Sequence, residues 1–160
     1  AIGEKALGPE HPDVGNQLNN LAGLFHHQGK YDEAKPLYER AIAISEKALG
    51  SEHPDVGRWL NNLAGLFHHQ GKYDEAKPLY ERAIAISEKA LGPEHPDLAK
   101  RINNLTNSLK NQGKFDEAKP LCARAVAIGE KALGPEHPHV GRSLNNLANV
   151  LRSQGKFDEA

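Results

Sequence analysis

The sequence predicts an all-α protein, a solenoid of stacked antiparallel helix hairpins, for two reasons. The first is an exact repeat with a period of 42 residues, because Ala6-Leu7-Gly8 recurs from positions 48, 90 and 132. The second is that each repeat carries two apolar stripes at helical spacing, separated by a short turn that contains glycine. A unit of this size buries its apolar face only by stacking on its neighbours, as the units of a solenoid do.

Helix A, the first helix of each repeat, is predicted from an apolar stripe at about 100° per residue, which in the first repeat comprises Leu18, Leu21, Ala22 and Phe25. It should begin near Pro12, because proline is tolerated in the first turn of a helix. It should end at Gly29, because glycine suits a left-handed residue at a helix C-terminus.

Helix B, the second helix, is predicted from a longer stripe that comprises Ala34, Leu37, Tyr38, Ala41, Ile42, Ser45 and Ala48. Gly50 should end this helix. Pro36 lies just beyond its first turn, so the loss of one backbone hydrogen bond should bend the helix slightly without breaking it. Since only Gly29-Lys30 separates the helices, each repeat should be an antiparallel hairpin.

The motif residues of the first repeat are the helix-A stripe, residues 29–34 (Gly-Lys-Tyr-Asp-Glu-Ala), Tyr38 and Ala41. With Leu-Gly-Pro-Glu-His-Pro-Asp-Val and Leu-Asn-Asn-Leu-Ala, they resemble the tetratricopeptide repeat in its 42-residue form, as in kinesin light chains. The resemblance covers the whole chain, although Leu18, Ala22 and Glu46 depart from the usual pattern. It implies a right-handed superhelical solenoid in which helix A lines a concave, peptide-binding groove.

The repeat organises residues 1–160 as a single array. Its repeats span 6–47, 48–89, 90–131 and, incompletely, 132–160, and residues 1–5 match the end of a helix B. Residues 6–47 and 48–89 differ only at Pro9, Asn16 and Gln17 of the first copy. We therefore expect the chain to be a piece of a longer array, of natural or designed origin.

Composition excludes several classes of function. The 20 Lys and Arg nearly balance the 21 Asp and Glu, so the chain offers no overall positive charge for nucleic acid. No apolar run approaches the roughly 18 residues of a membrane helix. The single cysteine, Cys122, cannot form an internal disulfide, which fits a reducing compartment. We expect a cytoplasmic protein without membrane contact.

Helix A is predicted to be the more basic helix of each repeat. The windows 14–28, 56–70, 98–112 and 140–154 contain no Asp or Glu. The basic candidates for a peptide-binding site in these windows are Arg58, Lys100, Lys110, Arg142 and Arg152. We therefore expect a neutral to basic helix-A surface, an acidic helix-B surface and a preference for acidic peptides. The alternative is that one acid-free helix was copied and its composition has no function.

An asparagine pair recurs in helix A of every repeat and completes the set of candidate binding residues, which are Asn19, Asn20, Asn61, Asn62, Asn103, Asn104, Asn145 and Asn146. Each amide offers a donor and an acceptor, so this ladder suits the backbone of an extended peptide whatever its side chains. The alternative is that one asparagine of each pair bonds the neighbouring repeat or meets solvent.

Trp59, the only tryptophan, can either pack between repeats or be a partly exposed binding anchor, and we favour packing. Cys122 occupies the position of Tyr38 on the helix-B stripe, which predicts a buried, inert thiol.

The nine histidines predict no metal site. His26 and His27 are adjacent, as are His68 and His69, and adjacent helical side chains point about 100° apart instead of converging on one ion. The histidine before the proline at each helix-A start should cap or pack instead.

No nucleophile with a base, phosphate-binding loop or carboxylate pair occupies a unique place, so we predict no catalysis and no cofactor. The leading interpretation is a scaffold that binds a protein or peptide segment, acidic or extended, in the helix-A groove. The alternative is a structural or spacer array that associates weakly head to tail, because the last helix A ends in an apolar stripe that expects cover, comprising Leu144, Leu147, Ala148 and Leu151.

Overall fold

The computed structural model describes residues 8–155. The helices within this range are α1 (Pro12–His27), α2 (Tyr31–Leu49), α3 (Pro54–His69), α4 (Tyr73–Leu91), α5 (Pro96–Asn111), α6 (Phe115–Leu133) and α7 (Pro138–Ser153). Odd-numbered helices are helix A of successive repeats, and even-numbered helices are helix B. The all-α prediction is confirmed, with no strand in the described part of the chain. The predicted helix-B tail at residues 1–5 lies outside it.

A histidine caps the start of each helix A. His11 Nδ1 accepts a hydrogen bond from the backbone N–H of Asp13 at 3.1 Å. His53, His95 and His137 accept the equivalent bond at the other three helix-A starts. This bond satisfies one of the backbone donors that a helix N-terminus leaves free, so the predicted capping role is confirmed.

The turn between helices A and B requires glycine. Gly29 has a φ of +77°, a left-handed conformation that side-chain-bearing residues rarely adopt. The N–H of Lys30 then donates to the carbonyl of Phe25 at 2.8 Å, which closes the end of α1. Pro36 lies inside α2 without ending it, as predicted.

The chain forms two compact units, residues 1–86 and 87–160. In the first unit α1 packs antiparallel to α2, and α3 packs on α2. In the second unit α5 packs on α6 and α6 packs on α7. Each unit therefore contains the hairpin and the stacking contact that define the solenoid architecture.

Small residues allow the helices of the first unit to approach closely. Ala22, Ala34 and Ala41 are fully buried. At Gly57, an added Cβ would lie 3.0 Å from Cγ2 of Ile86, so α3 contacts the following helix through its backbone. These positions explain why alanine and glycine recur at fixed places in the repeat.

Two members of the predicted apolar stripes are exposed in the first repeat, Leu21 of helix A and Ala48 of helix B. Leu21 is 42% exposed, whereas Leu63 at the same position of the second repeat is 5% exposed. Leu63 is covered because α3 packs against the preceding repeat, and α1 has no described helix before it. The prediction that Leu21 belongs to the core is wrong for this reason.

Candidate functional site

Asparagine side chains connect the helix-A surfaces of the first two repeats. The side-chain amide of Asn62 donates to Oδ1 of Asn19 at 3.2 Å. Asn19 is 7% exposed, so most of its side chain is unavailable to a ligand. In this pair the asparagines bond the neighbouring repeat, which was the alternative to ligand binding.

The same positions in the second unit are bonded differently. Asn103 donates its amide to Oγ of Ser143 at 2.9 Å, and Lys110 donates to Oδ1 of Asn146 at 3.0 Å. Asn103 and Asn146 are both more than nine-tenths buried. Their remaining amide atoms, Oδ1 of Asn103 and Nδ2 of Asn146, have no protein partner. The Asn19–Asn62 bond of the first unit is therefore replaced by bonds to residues found only in the later repeats.

The other predicted binding asparagines are more accessible. Asn20 and Asn145 are exposed, and Asn61 and Asn104 are half-buried. The ladder predicted from the sequence is thus uneven: some rungs hold repeats together and others face solvent.

The basic side chain of the first unit is partly neutralised. The guanidinium of Arg58 lies 2.6 Å from a carboxylate oxygen of Asp55, one turn earlier in α3. The same group lies 4.5 Å from the ring centroid of Trp59. The acid-free window starts one residue too late to include Asp55, so the window overstates the positive charge of this surface.

The basic residues of the second unit differ in what they contact. Lys100 lies 3.6 Å from Asp97, which repeats the Arg58 arrangement. In contrast, Lys110 and Arg152 donate to the amide oxygens of Asn146 and Asn149. These amides are neutral, so neither contact offsets the positive charge of the side chain that donates.

Arg142 is the remaining basic candidate, and it is exposed. In earlier repeats an aspartate precedes the equivalent position by three residues, but α7 has His139 there and no acidic residue in its first turn. Helix α7 therefore carries two basic side chains, Arg142 and Arg152, and no acidic residue.

Trp59 packs inside the first unit. Its side chain is 5% exposed, and its indole N–H donates to Oγ of Ser45 at 3.2 Å. Packing, the interpretation that we favoured, is confirmed, and Trp59 is not available as an exposed binding anchor.

Sequence reasoning missed a histidine contact between repeats. Nε2 of His26, on α1, lies 2.7 Å from Nδ1 of His69, on α3. Nδ1 of His26 lies 3.1 Å from the hydroxyl of Tyr38. Burial, followed by repulsion from His69 and His27, lowers the pKa of His26 below its ordinary value of 6.5.

The sequence does contain a signal for this contact. Asn19 and Asn62 are separated by 43 residues, and so are His26 and His69. Residues one position beyond the repeat period therefore meet across adjacent A helices of the first unit. The sequence argument compared only adjacent histidines of the same helix. It therefore did not consider that histidines of two helices can meet.

Three further features bear on what the described residues can do. No three His, Cys, Asp or Glu side chains within residues 8–155 gather in a metal-binding arrangement. Cys122 is fully buried, and burial raises the pKa of its thiol despite opposing effects from Thr106 and Lys110. No described helix is long and apolar enough to cross a membrane.

Comparison with protein families assigns the chain. A family model for the tetratricopeptide repeat matches residues 1–47, 13–89, 55–109 and 101–160. The chain belongs to the tetratricopeptide repeat family. Its predicted resemblance is thereby confirmed, and the hairpins described above are tetratricopeptide repeats. No curated protein matches the sequence.

Solved structures extend the assignment. BtubC (BKLC) from P. vanneervenii is 28% identical, with a TM-score of 0.86 over 94% of this chain and 60% of that one. A Podosopora anserina structure, described as a kinesin light chain with nearly identical TPR-like repeats, is 34% identical, with a TM-score of 0.86 over 99% of this chain and 74% of that one. Aspartyl phosphate phosphatase F from Bacillus subtilis shares only the fold, at 15% identity and a TM-score of 0.79 over 93% of this chain and 38% of that one.

Proposed function

We propose that this chain is a non-catalytic scaffold that binds an acidic, extended segment of another protein along the helix-A surface, chiefly in residues 87–160. Tetratricopeptide repeats generally mediate protein interactions. The proposal goes further than the family assignment because it names the surface and the charge of the partner.

The contacts of Lys110 and Arg152 carry the proposal. Both donate to neutral amide oxygens, so a carboxylate of a bound peptide can approach without displacing an acidic side chain of residues 8–155 from either cation. Arg142 adds a third positive charge on the same helix as Arg152. In the first unit, Arg58 would have to leave Asp55 to do the same.

Neutral side chains complete the surface. Asn145 is exposed on α7 and offers a donor and an acceptor to a peptide backbone. Asn104 lies half-buried on α5. Backbone recognition by such amides supplies binding that is indifferent to sequence, whereas the cations supply selection by charge.

The test is a fluorescence-anisotropy titration with labelled acidic, neutral and basic peptides of equal length. The variant Lys110→Ala/Arg142→Ala/Arg152→Ala should weaken acidic-peptide binding roughly threefold to a hundredfold, since each solvent-accessible charge contributes about 0.2–1 kcal/mol. It should also reduce the dependence of binding on salt.

The matched control is Lys47→Ala/Lys89→Ala/Lys131→Ala, which removes three charges from equivalent positions of helix B. This control should bind acidic peptides like the original chain. Equal loss in both variants would show a nonspecific effect of net charge, and an unchanged affinity in the helix-A variant would refute the proposed surface.

The alternative function is a structural or spacer array that associates weakly head to tail. Leu144 favours it, because this residue is 43% exposed on the last described helix. The exposed apolar surface of this helix is smaller than the sequence predicts, since Leu151 is only 5% exposed. Sedimentation from micromolar to millimolar chain should show assembly that Leu144→Gln weakens, and a monomer throughout would exclude it.

A further inference from the structure

The contact between His26 and His69 has the composition of a ligand pair. The two imidazole nitrogens, 2.7 Å apart, come from helices of different repeats within residues 1–86. They border a cavity of about 300 Å³, which is lined by Gly23, His26, His27, Tyr31 and His69. We propose that His26 and His69 bind one divalent transition-metal ion, with Cu²⁺ or Ni²⁺ favoured over Zn²⁺.

The separation of the nitrogens selects the metal. Two nitrogens bound at right angles, each about 2.0 Å from one ion, lie about 2.8 Å apart, as in square-planar Cu²⁺ or Ni²⁺ sites. In a tetrahedral zinc site with similar bond lengths the separation is about 3.3 Å. The observed 2.7 Å is nearer to the first arrangement, so the rings need less movement to hold Cu²⁺ or Ni²⁺.

Tyr38 supports the tautomer of His26 that a metal requires. Nδ1 of His26 lies 3.1 Å from the Tyr38 hydroxyl oxygen, which can accept a hydrogen bond. In the tautomer that carries its hydrogen on Nδ1, this N–H donates to Tyr38 and the lone pair of Nε2 faces His69. Metal-binding histidines commonly donate their other ring N–H to such a partner, which fixes the ring. Tyr38 is 2% exposed, so its own position is well defined by packing.

Metal binding requires only a change of tautomer in His69. With the lone pair of His26 Nε2 as acceptor, Nδ1 of His69 carries the hydrogen of their mutual bond. Metal binding moves this hydrogen to Nε2 of His69 through solvent, so no net proton is released.

The protein supplies two ligands, and water completes the coordination. No third His, Cys, Asp or Glu side chain within the described residues joins the pair in a metal-binding arrangement. The pair is also specific to the first unit, because Lys110 and Ser153 occupy the equivalent positions 84 residues later. An open site of this kind predicts one ion per chain and micromolar affinity.

The experiment is calorimetric titration of the untagged full chain at pH 7 with CuCl₂, NiCl₂ and ZnSO₄ in turn. His26→Asn and His69→Asn should each lower Cu²⁺ affinity at least tenfold. Tyr38→Phe, which alters a positioning residue, should lower it roughly tenfold. Matched controls are His11→Asn and His53→Asn, which remove the capping histidine at the opposite end of each helix, keep a residue that can cap, and should change affinity less than threefold.

A second measurement uses the original chain, so it does not require any variant to fold. In the original chain, substoichiometric Cu²⁺ should broaden the NMR signals of His26 and His69 before those of His11, His53 or His137. Unchanged Cu²⁺ affinity in both His26→Asn and His69→Asn, or equal broadening of all histidines, would show adventitious binding to surface histidines and overturn the proposal. Tighter binding of Zn²⁺ than of Ni²⁺ would overturn the assigned geometry.

Discussion

The indole N–H of Trp59 donates to Oγ of Ser45 at 3.2 Å, between helix A of the second repeat and helix B of the first. Both residues are nearly fully buried. This bond satisfies the only polar atom of the tryptophan side chain, so the ring adds apolar contact between the repeats without leaving a buried donor unpaired.

We expect Trp59→Ala to destabilise the chain by about 3–5 kcal/mol, because it removes a large buried ring and leaves a cavity. Trp59→Gln restores the residue found at position 17 of the first repeat and should also be destabilising. The measurement is urea unfolding followed by circular dichroism. Arg58→Asn, which restores the residue at position 16, is the neighbouring control and should shift the transition little, since Arg58 is exposed. A Trp59→Ala variant as stable as the original would contradict the packing.

Acid should destabilise the first unit through its histidines. Burial and repulsion from His69 and His27 lower the pKa of His26, and burial and repulsion from His69 lower that of His68. The unfolded chain therefore binds protons more readily than the native chain. Stability from this source is complete above the unfolded value of about 6.5 and is lost as the pH falls below it toward the lowered native values.

The measurement is the free energy of unfolding between pH 7.5 and 5. His26→Gln/His68→Gln should flatten the loss, whereas Asn20→Gln, at an exposed and non-titrating position of α1, should leave the slope unchanged. An identical slope in the double variant and the original chain would show that these histidines are not the source.

The helix boundaries could be predicted because they depend on local chemistry. Pro12 and Gly29 restrict the backbone whatever surrounds them, and α1 begins and ends beside them. Burial along a stripe depends instead on the neighbouring repeat, which explains why Leu63 is covered and Leu21 is exposed. One repeat considered by itself does not contain that information.

The candidate site was harder to predict because it depends on the offset between adjacent helices. Contact between Asn19 and Asn62 requires both the repeat period and a shift of one further residue. Whether the positive charge of Arg58 is offset likewise depends on the orientation of the Asp55 side chain. Residue types along helix A indicated a polar surface, but only packing decides which polar groups satisfy each other.

Glycines inside helix A should respond in opposite ways to substitution. At Gly23 an added Cβ would meet only the Tyr38 hydroxyl, at 3.8 Å, so Gly23→Ala should stabilise the chain by about 0.5–1 kcal/mol through helix propensity. At Gly57 the Cβ would lie 3.0 Å from Ile86, so Gly57→Ala should destabilise the chain despite the same propensity gain. Thermal unfolding compares the two. Stabilisation by both variants would contradict the close contact at Gly57.

The thiol of Cys122 should be nearly unreactive in the native chain. It is fully buried, and burial raises the pKa above its ordinary value of 9.0, so little of the reactive thiolate exists at pH 8. Reaction with a disulfide reagent at pH 8 should therefore be at least roughly a hundredfold slower in the native chain than in 6 M guanidinium chloride. The matched control is Cys122→Ala/Ala123→Cys, which moves the thiol by one residue to an exposed position of the same helix and should react quickly without denaturant. If native Cys122 reacted as fast as the thiol of this control, the close packing of α6 around position 122 would be wrong.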